Sequence, residues 1–333
     1  MLVSSSTNDT NNHLCQPDSF VNKKSTLNGN VVYGNHKEIY QDLSIIRSIS
    51  KARFPVFLVE SHITKKNYAM KVFAHENGQP HLYFKNESRF ACLKHPNVVR
   101  NLYFESQRKS KIDGVEMKVS YIITEYATHG DLREFLKNHR KSINEKLIRT
   151  LFRQLIEGLE YLHNNGVAHM DLKLDNLLIG DDYNLKIADF DLSHFKDDAI
   201  IISNGSKFYR APEVIRGRCN NPKIADIFSA AVILFTLKSK GIYPQFEADS
   251  YEGVDLSDLL YNNTEEFWNQ HCKIQKKDPS FFDEDFKELF VEMTKTGIKE
   301  RATLETIKAS KWYNGPFYSS AGFKEKMRRI LSN

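Results

Sequence analysis

At 333 residues the chain has room for one large domain or for two lobes with a core of their own. Its 41% hydrophobic and 27% charged residues are those of an ordinary globular protein, and a net charge of +5 is too small to mark the whole chain as a nucleic-acid binder. The longest apolar run, residues 230–235 and their neighbours, is far too short to span a bilayer, and Leu2 excludes N-myristoylation. Cys15, Cys92, Cys219 and Cys272 show no Cys-x-x-Cys spacing, so free thiols in a reducing compartment are expected, not a disulfide frame or a zinc site. No signal peptide opens the sequence. The expected location is cytoplasmic or nuclear, with neither membrane nor nucleic acid as a partner.

Residues 1–35 are rich in Ser, Thr and Asn without apolar periodicity, and a disordered polar tail is expected. From 43 to 73 the residues favour strands. In Tyr68–Phe73 the period-two alternation puts Ala69, Lys71 and Phe73 on one face; taken alone, Lys71 is a solvated strand lysine. Strands over 100–105 and 119–124 follow, joined by a basic hairpin with Asp113-Gly114 as its turn signal. A long helix is predicted from Ser142 to about Asn165, with Ser142-x-x-Glu145 as a capping box and Gly166 as its stop. Leu147, Leu151, Leu155, Leu159 and Leu162, with Ile148, Phe152 and Ile156, form its buried stripe. Residues 317–333 set Phe323, Met327, Ile330 and Leu331 among Lys324, Lys326, Arg328 and Arg329. This short basic amphipathic stretch reads as a helix docked on its own domain.

The chemistry concentrates in His169-Met170-Asp171-Leu172-Lys173-Leu174-Asp175-Asn176 and in Asp189-Phe190-Asp191. Between them, Leu177-Leu178-Ile179 and Leu185-Lys186-Ile187 are split by Asp181-Asp182-Tyr183-Asn184, a tight strand-to-strand connection. A hairpin there brings the loops before and after it to the same end. Asp171, Asn176 and Asp189 then converge, giving two hard oxygen ligands for Mg²⁺ and a carboxylate that accepts a proton. That is the equipment for moving a phosphoryl group onto a hydroxyl.

These loops resemble the catalytic and metal loops of the eukaryotic protein kinases, His-x-Asp-Leu-x-x-x-Asn followed by Asp-Phe-x. Further landmarks stand in order across roughly residues 40 to 313: Ala69-Met70-Lys71, His95-Pro96-Asn97, Thr124-Glu125-Tyr126-Ala127, Ala211-Pro212-Glu213, Asp226-Ile227-Phe228-Ser229 and Arg301. The resemblance implies an α+β, bilobal fold: a small, mainly antiparallel β N-lobe with one C-helix (36–127, with the hinge) and a larger, mainly α-helical C-lobe (128–316). It also implies the roles of single residues. Asp171 is the catalytic base and Lys173 steadies the γ-phosphoryl charge, while Asn176 and Asp189 hold Mg²⁺. Lys71 anchors the α- and β-phosphates of ATP and is oriented by Glu87, in the stretch 87–94 that leads to the His95-Pro96-Asn97 turn after the C-helix. Val56, Ala69, Glu125, Ala127 and Leu178 are the other nucleotide-binding residues, with Thr124 gating the back pocket. Asp226 holds the catalytic-loop backbone, and Arg301 pairs with Glu213. Lys173 two after Asp171 is the serine/threonine form, and the flavour is that of the calmodulin-dependent and AMP-activated kinase-like group. The implied partners are ATP and protein substrates with Ser or Thr, acting on a monomer. A basic upstream context is expected, because Asp131 and Asp175 fall where basophilic members bind an arginine.

The chain departs from the family pattern around the phosphates. The stretch from Ser48 to Val56 contains no glycine, and Ala52 and Pro55 restrict positive φ and remove an N–H donor. Met170 replaces the usual Arg and Asp191 the usual Gly. Met170 offers no charge to a phosphate on Ser203 or Ser206, so activity without activation-segment phosphorylation is expected, and Ser206 is expected to hydrogen-bond beside Asp171 and Lys173. The alternative reading is a pseudokinase scaffold with weak nucleotide binding. Against it, Lys71, Glu87, Asp171, Asn176 and Asp189 are all present.

Overall fold

The computed structural model describes residues 42–50, 53–112, 115–196, 198, 205–244, 260 and 262–332. The polar tail, Ala52, the Asp113-Gly114 turn and Ser203 lie outside the described residues.

Alternation builds the smaller lobe. Strands β1 (Leu43–Ser50), β2 (Val56–Ser61), β3 (Asn67–Ala74), β4 (Asn101–Ile112) and β5 (Val115–Glu125) form an antiparallel sheet in the order β1-β2-β3-β5-β4. The pleat sends Tyr68 and Val72 to one face, against Val59, Tyr103, Tyr121 and Ile123. It sends Phe73 to the other, against Phe54, Phe84 and Ile122, and so aims Lys71 the same way. The β4–β5 arm runs further than expected, because the basic stretch pairs from Arg108↔Val119 to Ile112↔Val115 in place of a loop.

Helix α1 (Leu82–Ser88) lies against that second face. It starts at His81, whose Nδ1 accepts from Tyr83 N, and it buries Phe84 and Glu87, three apart and hence on one side. Phe84 meets Phe73 and Phe104 with ring centroids 5.6 and 6.2 Å apart. The helix ends at Ser88, not at residue 94 as expected. Phe90 stacks on Phe195 at 4.7 Å and meets Phe190 at 5.9 Å. To reach them the backbone leaves the α-helix through tight turns, Phe90 N donating to Glu87 O and Ala91 N to Ser88 O. Glu87 therefore lies in the last turn of the helix.

The larger lobe is helical: α2 (Leu132–His139), α3 (Glu145–Asn164), α4 (Pro212–Ile215), α5 (Pro222–Lys238), α6 (Thr264–Gln275), α7 (Glu284–Thr294), α8 (Leu304–Ala309) and α9 (Ser320–Leu331). Two short antiparallel pairs, β6 (Val167–Ala168) with β9 (His194–Phe195) and β7 (Leu177–Ile179) with β8 (Leu185–Ile187), carry the site. Helix α3 buries the whole predicted stripe, and Gly166 follows it at φ +76. Its cap is Asn144, whose Oδ1 accepts from Leu147 N at 2.9 Å, and not Ser142, which lies in a 3₁₀ turn over Arg140–Ser142. The Glu145 carboxylate consequently accepts from Lys238 and from Trp312 Nε1, both at 2.7 Å. Phe323, Met327 and Ile330 of α9 join the main core of the large lobe, so the basic C-terminal stretch is docked on it. Among the described residues no helix is long and apolar enough to cross a membrane. Among the described residues Cys219 and Cys272 are free thiols.

Candidate active site

The β7–β8 hairpin does what its sequence implies. Its register, Leu177↔Ile187 to Ile179↔Leu185, brings the flanking loops together, and Ala188 N donates to Asn176 O at 2.9 Å. His169 braces the junction, its Nε2 2.9 Å from Ala188 O and its ring 5.1 Å from that of Phe190. Asp226, 1% exposed near the start of α5, accepts from His169 N (2.8 Å), from Met170 N (2.9 Å) and from His163 Nε2 (3.0 Å). These anchors hold Met170 and Asp189 at φ +66 and +70, a left-handed geometry that costs about 1–2 kcal/mol for a residue with a Cβ.

Asp171 is buried and fully engaged. Its Oδ1 accepts from Ser206 N at 2.7 Å; its Oδ2 accepts from Lys173 Nζ at 2.5 Å and Asn176 Nδ2 at 3.2 Å. Ser206 thus sits beside Asp171 as expected, but it makes this contact through its main chain. The approach depends on Gly205, where a Cβ would stand 2.6 Å from Met170 O and 3.3 Å from Asp171 Oδ1. Asn176 spends its amide nitrogen on Asp171, which leaves the carbonyl oxygen as the atom free to meet a cation.

Across the lobes, Lys71 Nζ donates to Glu87 Oε2 at 2.7 Å, to Asp189 Oδ1 at 2.5 Å and to Asp191 Oδ2 at 3.4 Å. Burial would lower the Lys71 pKa, but the surrounding carboxylates outweigh it and hold the ammonium well above the ordinary lysine value. Burial pushes Glu87 up to about 7 even though Lys71 pulls it down. Burial also opposes charge at Asp189, yet Lys71 prevails there and keeps its carboxyl below the usual range. Burial and then Asp189 raise Asp191. One ammonium serves three carboxylates, and Asp189 holds the strongest claim to charge.

The residues expected to surround the nucleoside lie on the adjoining strands. Val56 pairs with Lys71, and Ala69 with Leu58 and Thr124. Glu125 ends β5, with Ala127 buried just beyond it. The Glu125 side chain is turned to structure, its Oε1 accepting from Arg100 N at 2.7 Å and Lys186 Nζ at 3.3 Å, so its main chain is the part that a ligand can read. Leu178 bridges to Asp131.

In the glycine-free loop Phe54 is buried, its ring tilted against Phe73 at 4.7 Å and edge-on to His81 at 4.9 Å, with Lys71 Nζ 5.6 Å from its ring centroid. Arg53 lies over Tyr83 of α1 at 4.1 Å. Pro55 lacks an N–H, but its carbonyl accepts from Val72 N at 3.0 Å. Aromatic packing on α1 and β3 thus anchors the described end of this loop, at Phe54.

The protein kinase domain family matches residues 55–313. The chain belongs to that family. It is 32% identical to the NUAK family SNF1-like kinase 1 of Mus musculus over 69% of this chain and 31% of that protein. It is 33% identical to the CBL-interacting protein kinase 26 of Oryza sativa, over 66% of this chain and 41% of the relative. With the CBL-interacting serine/threonine-protein kinase 8 of Arabidopsis thaliana the identity is 35%, over 66% and 45%. The chain therefore spans roughly a third to a half of the length of these relatives, and their names agree with the AMP-activated and calmodulin-dependent kinase-like resemblance.

Within this kinase domain Glu213 and Arg301 form the expected buried bidentate pair, at 2.7 and 2.9 Å, which positions more than it stabilises. The acids expected to bind a substrate arginine both have partners within the chain. Asp131 caps α2, accepting from Glu134 N at 2.8 Å, and both oxygens of Asp175 accept from Arg133, each at 2.7 Å. Arg133 projects from α2 onto the turn that carries Asp175 and covers that carboxylate, while Asp131 uses Oδ1 for its cap. Sequence reasoning missed this pair and Asp191 as a partner of Lys71, whereas Phe54, read from the sequence as a packing residue of the loop, is buried as expected. Only Asp191 had a legible signal, the acid in place of glycine. Among the described residues no group of three or more His, Cys, Asp or Glu is placed to hold a metal by itself. One carboxylate and one amide oxygen, Asp189 and Asn176, fit a Mg²⁺ that is shared with phosphate and water.

Proposed function

We propose that this chain is a serine/threonine protein kinase that transfers the γ-phosphoryl group of Mg·ATP to hydroxyls of protein substrates. The observation that carries the reading is the meeting of Lys71–Glu87 from the small lobe with Asp171, Lys173, Asn176 and Asp189 from the large one. The substrate oxygen attacks the γ-phosphorus, the bond to the bridging oxygen breaks to leave ADP, and Asp171 orients the hydroxyl and takes its proton. Lys173, 2.5 Å from Asp171, carries positive charge to the same point. Lys71 gives up its bonds to Asp189 and Asp191 and takes the α- and β-phosphates, while Glu87 keeps it aimed. Asn176 and Asp189 would hold Mg²⁺, which when bound neutralises charge on the β- and γ-phosphates. The hinge main chain at Glu125 and Ala127 reads the adenine edge. Lys173 beside the base supports Ser and Thr as acceptors, and the reading carries a monomer in the cytoplasm or nucleus. At Asp175 a basic upstream context requires a substrate arginine to displace Arg133.

The scaffold alternative is favoured by the loop, where Phe54 fills space against Phe73 and His81 and glycine amides are missing. Transfer of labelled phosphate from Mg·ATP to a mixed peptide library separates the two readings. We expect incorporation into Ser and Thr that Asp171→Asn abolishes; incorporation equal in the two proteins, or none in either, would sink the kinase reading.

A further inference from the structure

Asp191 stands where the family pattern has a residue without a side chain. Its carboxylate is only 13% exposed and lies 3.4 Å from Lys71 Nζ, on the same ammonium that Asp189 and Glu87 contact. Its position is imposed from α1: Asn86 Nδ2 donates both to Asp191 O at 2.8 Å and to Ser193 O at 2.9 Å. A second tie follows, Arg89 gripping Asp198 at 2.6 and 3.2 Å, with Asn86 Oδ1 accepting from Arg89 at 3.0 Å. The segment that carries Asp191 is thus pinned to the helix that carries Glu87, and both acids face Lys71 together.

We propose that Asp191 sets the chain's discrimination between nucleotides and nucleosides, by competing with phosphate oxygens for Lys71. Phosphates must take the ammonium from an extra carboxylate that α1 holds in place, and they then lie beside its negative charge. In a nearly buried site that repulsion is weakly screened. Adenosine contacts the hinge and carries no phosphate, so Asp191 does not oppose it. This inference rests on the nucleotide-binding reading above and adds that one residue weakens the phosphate half of it.

Calorimetry with ATP plus MgCl₂ and with adenosine, on the full chain, tests this. Asp191→Gly and the isosteric Asp191→Asn should each tighten ATP roughly tenfold and leave adenosine within about twofold. Asn86→Ala should give part of that gain when Asp191 is present and none in Asp191→Gly. Weaker ATP binding in both Asp191 variants would overturn the proposal, since the carboxylate would then be serving the bound cation. Equal changes for ATP and adenosine, or an Asn86→Ala gain that is the same in both backgrounds, would also overturn it. A parent chain that binds neither ligand would overturn the nucleotide reading itself, and the role of Asp191 with it. Adenosine binding with ATP unmoved by either Asp191 variant would overturn the role of Asp191 alone.

Discussion

The two sides of the active site follow different rules. On the large-lobe side each group around Asp171 is held by a hydrogen bond that the family landmarks imply: Asp226 on the His169 and Met170 amides, Asn176 and Lys173 on Asp171, Glu213 on Arg301. On the small-lobe side the lysine and its glutamate are kept, but their surroundings are rebuilt. Phe54 replaces glycine flexibility with aromatic packing, and Asp191 adds a third carboxylate to Lys71. On the proposed reading, proton handling and phosphate gripping are separable. The first needs a few side chains in fixed hydrogen-bond geometry; the second needs backbone approach and charge balance, which packing can alter while the base stays in place.

The largest expected effects fall on groups that both sides need. Lys71→Met and Asp189→Asn should each lower turnover about 10²–10³-fold, or roughly 2.7–4 kcal/mol, with little change in the thermal unfolding midpoint. Labelled-phosphate transfer and melting curves measure the two readouts. Near-normal turnover in Lys71→Met beside a dead Asp171→Asn would break the comparison, because the small-lobe lysine would then be dispensable.

The two regions should also separate in acid. His271, fully buried in the aromatic core of the large lobe, has its pKa pushed down to about 4 by burial, although its bond to Phe267 O pulls the other way. Its folded pKa lies below the unfolded value of 6.5. Its contribution is therefore full above pH 6.5 and is lost as pH falls toward 4, by roughly 3 kcal/mol. Denaturant titrations at pH 7 and pH 4.5 should show that loss, and it should be smaller in His271→Gln. A loss of equal size in the two proteins would assign the acid sensitivity elsewhere.

A sharper probe of the large-lobe geometry is Gly205→Ala. Its Cβ would press on Met170 O at 2.6 Å, displacing the backbone that carries Asp171. Misplacement of a reacting group by up to an ångström can cost about a hundredfold, so we expect turnover to fall between about tenfold and that figure with ATP affinity unchanged. Loss of ATP binding in this variant would show that the two sides are coupled after all.

The smallest effect is expected at the substrate edge. The Arg133–Asp175 pair is bidentate but almost half exposed, at 45% and 41%, so it is worth no more than about 1 kcal/mol. Arg133→Ala should expose Asp175 and shift a peptide library toward upstream Arg or Lys by roughly threefold to fivefold. A strong basic preference already present in the parent, and lost in Asp175→Ala, would mean that substrates displace Arg133 readily.

The sequence by itself determined the elements and the local convergence of the loops. Alternation put Lys71 and Phe73 on one face, and the turn residues 181–184 folded 177–187 into a hairpin that joins Asn176 to Ala188. The 3.6-residue stripe placed α3 in the core, and the missing glycines were plain. These are properties of neighbours along the chain, where backbone period and turn chemistry leave few choices. The tertiary structure alone decided who partners whom. Asp175 is taken by Arg133, Asn144 and not Ser142 caps α3, and α1 stops at Ser88 because Phe90 is drawn onto Phe195. Lys71 meets Asp191 across 120 residues of sequence. Several carboxylates could have claimed that lysine on charge alone. Which of them reaches it depends on how the lobes dock and on Asn86 fixing the loop, and an angle between lobes leaves no periodic mark in a sequence.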